Sequence, residues 1–124
     1  MTNELPIVAW ENLLALRAVQ PEGEPDIVAE LVETFASESA RLIADVRRGV
    51  DTADLDLVRR ATHRLFGSAA AIGAERLRHA AESLEVQLRQ SDPGDFRPAF
   101  TDMERALAEV EQELRHVPPV NSGV

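Results

Sequence analysis

One histidine in this 124-residue chain stands where its side chain could react with another molecule. The stretch from Ala61 to Ala74 predicts a helix, whose apolar residues recur at spacings of three and four. His63 is two residues from both Ala61 and Leu65, which places it roughly 200° around the axis from that stripe. We therefore expect His63 to face water, where a neutral imidazole offers a nucleophilic lone pair near neutral pH. The stripe comprises Val58, Ala61, Leu65, Ala69 and Ile72.

Small residues follow His63 on the same face of this helix. Gly67 lies one turn after the histidine and Ala70 lies about one turn beyond that. Glycine inside a helix costs about 1 kcal/mol relative to alanine, so Gly67 needs a reason in a segment otherwise rich in alanine. Close approach of another molecule to His63 is such a reason.

The stretch resembles the signature of histidine-containing phosphotransfer (HPt) domains, which reads roughly His-x-Leu-Lys-Gly-Ser-(Ser/Ala)-x-x-hydrophobic-Gly-Ala. Phe66 departs from it, because the family usually has a lysine there that helps to hold the phosphoryl group. The resemblance extends over roughly residues 24 to 116. Eight positions match: His63, Leu65, Gly67, Ser68, Ala69, Ile72, Gly73 and Ala74.

The resemblance implies that His63 accepts a phosphoryl group from receiver-domain aspartates of a two-component phosphorelay and donates it back to them. In such pairs the receiver domain of a response regulator or hybrid histidine kinase supplies both the aspartate and the magnesium ion. We therefore expect a phosphocarrier rather than an enzyme, with no cofactor or metal of its own.

Positive charge and open space are the other requirements of such a site. Arg59 and Arg60 lie one turn before His63 and can point along the same face toward a phosphoryl group. Arg64 is adjacent to His63 in sequence and is a further candidate for phosphate stabilisation or docking. Gly67 and Ala70, named above, supply the space. Ser68 could hydrogen-bond the phosphate, or it could be a small residue at a helix contact.

Phe66 admits two interpretations. It could enlarge an apolar docking patch while the nearby arginines provide the charge, so that phosphotransfer is preserved. Alternatively, the chain could be a degenerate docking module that binds a receiver or a histidine kinase without efficient transfer. An exposed aromatic beside Gly67 would suit protein contact in both cases. We favour the first, because His63 and the small residues remain.

Composition excludes several other classes. The net charge of −9 argues against nucleic acid and anionic membranes as partners. The absence of cysteine removes disulfide and thiol chemistry, and without a long apolar run the expected location is the cytoplasm. The three histidines are far apart in sequence, and none has a second ligand at helical spacing, so no metal site is predicted. The chain has no motif that combines a nucleophilic serine or cysteine with a nearby base and acid, so a hydrolase is not indicated. A helical adaptor remains open.

The periodicity predicts an all-α fold: an antiparallel four-helix bundle with an additional short N-terminal helix. That short helix should lie around Val8 to Leu16, and the first long helix should have Pro25 in its first turn and reach about Gly49. Asp51 and Asp95 are predicted caps of the second and fourth long helices, and Gly73 should end the second. A monomer is expected, because the apolar stripes are needed for the bundle's own core.

Three segments follow from this pattern. Residues 1–23 should form the N-terminal helix and a linker. The stretch Gln20 to Pro25 ends that helix, because its two prolines and a glycine cannot continue a helix. Residues 24–117 should form the bundle. Residues 118–124 should form a flexible tail.

Overall fold

The computed structural model describes residues 4–119, and within that range the regular structure is entirely helical. Two short helices come first and four longer ones form the bundle. Residues 1–3 of the predicted N-terminal segment and residues 120–124 of the predicted tail lie outside the described residues. The helices are α1 (Trp10–Leu14), α2 (Leu16–Val19), α3 (Ile27–Thr52), α4 (Leu55–Ile72), α5 (Glu75–Leu88) and α6 (Arg97–Leu114).

The four long helices pack in sequence order, and α6 returns to contact α3. Only two residues separate α3 from α4, and two separate α4 from α5, so each helix must run antiparallel to the previous one. The predicted stripe of α4 is fully buried in the core, as are Leu77, Leu84 and Leu88 of α5. The predicted all-α bundle is thereby confirmed.

The turn from α3 to α4 differs from the prediction. Helix α3 continues through Asp51 to Thr52, and Asp54, not Asp51, is the N-cap of α4, accepting a hydrogen bond from the Leu57 N–H at 3.1 Å. Ala53 reverses the chain in the left-handed conformation, with φ 57°, although no glycine or proline marks this turn in the sequence.

Gly49 lies inside α3, in the last two turns, and has a packing function. A methyl group there would lie 2.7 Å from Cγ2 of Val58, so the glycine allows α3 and α4 to approach closely. The prediction that the helix ends near Gly49 was therefore a few residues short.

The other helix ends agree more closely with the sequence. Asp26 is the N-cap of α3, so Pro25 precedes that helix instead of lying in its first turn. Gly73 ends α4 in the left-handed conformation with φ 78°, as predicted. At α6 the N-cap position is Phe96, although the Asp95 carboxylate does accept the Arg97 N–H at 3.1 Å.

The N-terminal segment covers the end of the bundle where α4 meets α5. The Ala9 N–H donates to the Gly73 carbonyl at 2.8 Å, and the Trp10 indole N–H donates to Glu113 of α6 at 3.2 Å. Val8 and Leu13 are buried. The predicted single N-terminal helix is divided into α1 and α2 at Ala15.

Candidate functional site

Helix α4 presents His63 to solvent, as the sequence predicts. The side chain is 69% exposed, while its neighbour Thr62 and the stripe residue Leu65 are completely buried. The exposure follows from helical geometry, because α3 and α5 cover the opposite side of α4. The lone pair of the imidazole is therefore accessible to a partner.

The imidazole is held by a carboxylate on the next helix. His63 Nδ1 lies 2.5 Å from Oε2 of Glu85, whose side chain is only 18% exposed. A carboxylate only accepts, so this hydrogen bond requires a proton on Nδ1, and in the neutral imidazole the lone pair is then on Nε2. The pair thus fixes both the orientation of the ring and the nitrogen that can react.

Sequence reasoning missed Glu85, although the chain contains a signal for it. The α4–α5 turn is centred near Ala74, and His63 and Glu85 lie at equal sequence distances on its two sides. Residues equidistant from a short turn between antiparallel helices come to lie side by side. Applying that rule to the predicted turn would have identified the pair.

Gly67 leaves open space beside the histidine. No described atom beyond the neighbouring residues and the helix backbone comes within 4 Å of the position that its Cβ would occupy. Ala70 and Ala71, one turn further on, are exposed and small. The structure therefore contains the bare patch that the sequence indicated.

Phe66 does not lie as expected. It is half-buried and packs against the core, and its ring stacks beside His63 with centroids 6.4 Å apart and planes 23° apart. The expectation of an exposed aromatic was wrong, because position 66 lies on the side of α4 that α5 covers. Phe66 thus supports the imidazole more than it offers a docking surface.

Ser68 lies away from the histidine. Its hydroxyl donates to Oε1 of Glu38 on α3 at 2.8 Å, and the residue is half-buried between the two helices. Of the two interpretations made for Ser68, this geometry matches the helix contact.

The three predicted arginines have different surroundings. The Arg59 Nε–H donates to the Leu88 carbonyl of α5 at 3.0 Å, and the Arg60 Nε–H donates to Asp56 one turn earlier at 3.0 Å. The side chain of Arg64 is exposed and makes no hydrogen bond or ion pair with any other described residue.

A fourth arginine, Arg89, joins the site from the C-terminal end of α5. It lies 3.9 Å from Oε1 of Glu85 and is 67% exposed. All four arginines, together with His63 and Glu85, line one open groove of about 560 Å³. Arg89 was not predicted, since its position follows from the same antiparallel pairing that brings Glu85 to His63.

Two findings concern membranes and metals. In residues 4–119 no helix has the length and hydrophobicity needed to cross a bilayer. The same residues contain no group of three or more histidine and acidic side chains placed to hold a metal ion.

Comparison with known proteins assigns the chain to one family. The family model of the Hpt domain matches residues 30–115, which is more than half of the chain. The chain belongs to the Hpt domain family.

Similar proteins from plants have related names. Histidine-containing phosphotransfer protein 2 of Arabidopsis thaliana is 33% identical over 71 residues, covering 55% of this chain and 46% of its own length. Histidine-containing phosphotransfer protein 5 of the same species is 34% identical over 82 residues, covering 60% and 52%. Pseudo histidine-containing phosphotransfer protein 2 of Oryza sativa subsp. japonica is 26% identical over 106 residues, covering 84% and 70%. The chain thus spans about half the length of the two Arabidopsis relatives.

Proposed function

We propose that this chain is a phosphotransfer domain of a two-component phosphorelay, which accepts a phosphoryl group on Nε2 of His63 and passes it on. The observation that carries this proposal is the hydrogen bond from Nδ1 to Glu85, which in the neutral imidazole puts the lone pair on Nε2 of an exposed side chain. Family membership supports the same role.

The transfer itself requires little of this chain. The Nε2 lone pair attacks phosphorus, the new N–P bond forms, and the bond between phosphorus and the receiver's aspartate oxygen breaks, releasing the aspartate as a carboxylate. The proton stays on Nδ1, so the phosphorylated ring carries a positive charge that the Glu85 carboxylate stabilises. In the reverse direction the aspartate attacks and the neutral imidazole leaves.

We propose receiver domains of response regulators or hybrid histidine kinases as partners. They would contribute the aspartate and the magnesium ion, whereas this chain contributes the imidazole and acts as a carrier instead of an enzyme. The open surface at Gly67 gives room for the receiver's loops to reach His63. Four arginines line the groove that contains His63. Their positive charge favours a phosphoryl group in that groove, on a chain whose net charge is −9.

The remaining expectations also stand as proposals. We propose that the carrier acts in the cytoplasm as a monomer, without a metal or cofactor of its own and without binding nucleic acid or membranes. Residues 24–117 are proposed as the phosphotransfer bundle, with residues 1–23 as an N-terminal helix and linker and 118–124 as a tail.

A docking module without efficient transfer is the second candidate. Phe66 in place of the family's usual lysine favours it, because the residue next to the imidazole on that side carries no charge. The half-buried position of Phe66 weakens it, since the side chain offers a partner little surface.

Transfer from a phosphorylated receiver distinguishes the two candidates. A panel of receiver domains is labelled with a radioactive phosphoryl group, mixed with the wild type or with His63→Gln, and analysed for label on each protein. A carrier takes the label on the wild type alone, in an acid-labile form. A docking module binds a receiver in a pull-down equally well with either protein and takes no label.

A further inference from the structure

We infer that Arg64, assisted by Arg60, holds the phosphoryl group on His63 from the side of α4 that faces α3, in place of a cation at position 66. This inference rests on the proposed phosphocarrier function. The arginines of the groove then have separate tasks.

The helix places these residues on opposite sides of His63. At 100° per residue, Arg60 and Arg64 lie roughly 60° and 100° to one side of the histidine, and Arg59 and position 66 lie roughly 40° and 60° to the other. Contacts identify the two sides. Arg59 bonds to the Leu88 carbonyl of α5, whereas Ser68, further around in the direction of Arg64, bonds to Glu38 of α3.

The ring directs its reactive nitrogen toward the α3 side. Because Nδ1 is bonded to Glu85 on α5, Nε2 points away from α5. A phosphoryl group on Nε2 therefore lies away from the Glu85 carboxylate, which would repel it, and on the side of His63 where Arg60 and Arg64 lie. Arg64 and Arg60 both line the groove around His63.

The arginines differ in their freedom to bind the group. Arg59 is held at the end of α5, and Arg89 lies 3.9 Å from Glu85, so both lie on the α5 side with acceptors already near them. The guanidinium of Arg64 makes no hydrogen bond or ion pair within residues 4–119. Arg60 is paired with Asp56, but both side chains are well exposed, and such a pair on a helix is weak.

The location of Glu85 explains why this chain can have phenylalanine at position 66. A cation at 66 would lie on the side where Glu85 already provides a negative charge and would compete with His63 for that carboxylate. Phe66 packs against the core and stacks beside the imidazole, which keeps the ring in place without drawing Glu85 away.

The test measures the initial rate at which phosphoramidate phosphorylates His63. Intact-mass spectrometry monitors the gain of the phosphoryl group over time. The donor transfers its phosphoryl group to Nε2 and leaves as ammonia, so no receiver is needed. The variants are Arg64→Ala, Arg64→Lys, Arg60→Ala and Phe66→Lys. Arg59→Ala, on the other side of His63, is the comparison variant, and Arg105→Ala, an exposed arginine on α6, is the matched control. Circular dichroism verifies that each variant is folded.

We expect Arg64→Ala to lower the rate about tenfold, the loss expected for one hydrogen bond to a charged group. Arg60→Ala should lower it about threefold, Arg64→Lys should restore most of the rate, and the Arg105→Ala control should stay within about twofold of the wild type. Arg59→Ala should lose less of the rate than Arg64→Ala. Phe66→Lys should be slower than the wild type, because the lysine removes the stacking on the imidazole and competes with His63 for Glu85. An unchanged rate in Arg64→Ala, or a larger loss in Arg59→Ala, would overturn the inference while leaving the carrier function intact. A folded wild type that takes no phosphoryl group would instead overturn the proposed function itself.

Discussion

Nδ1 of His63 lies 2.5 Å from Oε2 of Glu85, so a carboxylate on α5 holds the exposed imidazole on α4. The exposed fractions of the two side chains are 69% and 18%, which places the reactive ring in water and its support at the edge of the core. The contact explains how a histidine with no catalytic machinery around it can still present a single nitrogen in a fixed direction.

Replacement of Glu85 tests that support. Glu85→Ala should lower the rate of His63 phosphorylation by phosphoramidate about tenfold, because the ring loses its orientation and its preferred tautomer. Glu85→Gln should retain more of the rate, since its amide oxygen still accepts from Nδ1. Glu82→Ala, an exposed carboxylate on the same helix, is the matched control and should react like the wild type. Equal rates for the Glu82→Ala and Glu85→Ala variants would refute the role given to Glu85.

Gly67 should separate stability from function. Gly67→Ala should stabilise the fold by about 1 kcal/mol, because a methyl group enters open space on a helix, and should slow transfer from a receiver by blocking its approach. Urea denaturation and the receiver assay measure the two effects. An adaptor without phosphotransfer would show the stabilisation and bind its partner as before.

Gly49→Ala is the matched control for that substitution. The added methyl group would meet Val58, so we expect a loss of stability of about 1–3 kcal/mol in the same denaturation experiment. Stabilisation by both substitutions would contradict the close contact between α3 and α4.

A buried hydroxyl beside the site is a further test of the packing. Thr62 is fully buried, and its Oγ1 has no hydrogen-bond partner among the described residues. Thr62→Val keeps the shape and removes the unsatisfied group, so the free energy of unfolding should rise by about 1 kcal/mol. Thr62→Ser, which keeps the hydroxyl and loses the methyl group, should lower it. A Thr62→Val variant less stable than the wild type would show that the hydroxyl is satisfied.

The N-cap of α3 predicts a pH dependence of stability. Hydrogen bonds from the Arg17 guanidinium at 3.0 and 2.7 Å, aided by the Val28 N–H, hold the pKa of Asp26 below its usual range. A lowered folded-state pKa means that this contribution is complete above the unfolded value near 3.9 and is lost as the pH falls through the lower folded value.

Asp26→Asn isolates this charge, because asparagine is an equally good N-cap. The variant should be less stable than the wild type in urea at neutral pH, and the difference should shrink as the pH falls below about 4. A difference that stays constant between neutral pH and about pH 3 would show that the charge of Asp26 contributes nothing.

The sequence predicts the bundle and the exposure of His63 because both depend on spacing within one helix. The apolar residues of α4 recur at intervals of three and four, and all five are buried. His63 lies between two of them in sequence, so its direction follows from helical geometry alone. The C-cap at Gly73 was also predictable from the sequence, since glycine is the usual residue in the left-handed conformation that ends a helix.

What the sequence does not reveal depends on contacts between helices and on backbone that lacks the usual markers. The end of α3 was misplaced because Ala53, not a glycine, adopts the left-handed turn. Phe66 was expected in solvent because α4 alone does not show which of its flanks α5 covers. Glu85 and Arg89 reach the site from another helix, so neither is recognisable from the residues around His63.

Intact mass after treatment with phosphoramidate tests the central claim most directly, with His63→Gln as the control. We expect one acid-labile phosphoryl group on the wild type and none on the variant, which would show that His63 reacts despite Phe66 at the lysine position. A folded, helical wild type that gains no mass would contradict the carrier function, as would equal labelling of the His63→Gln variant.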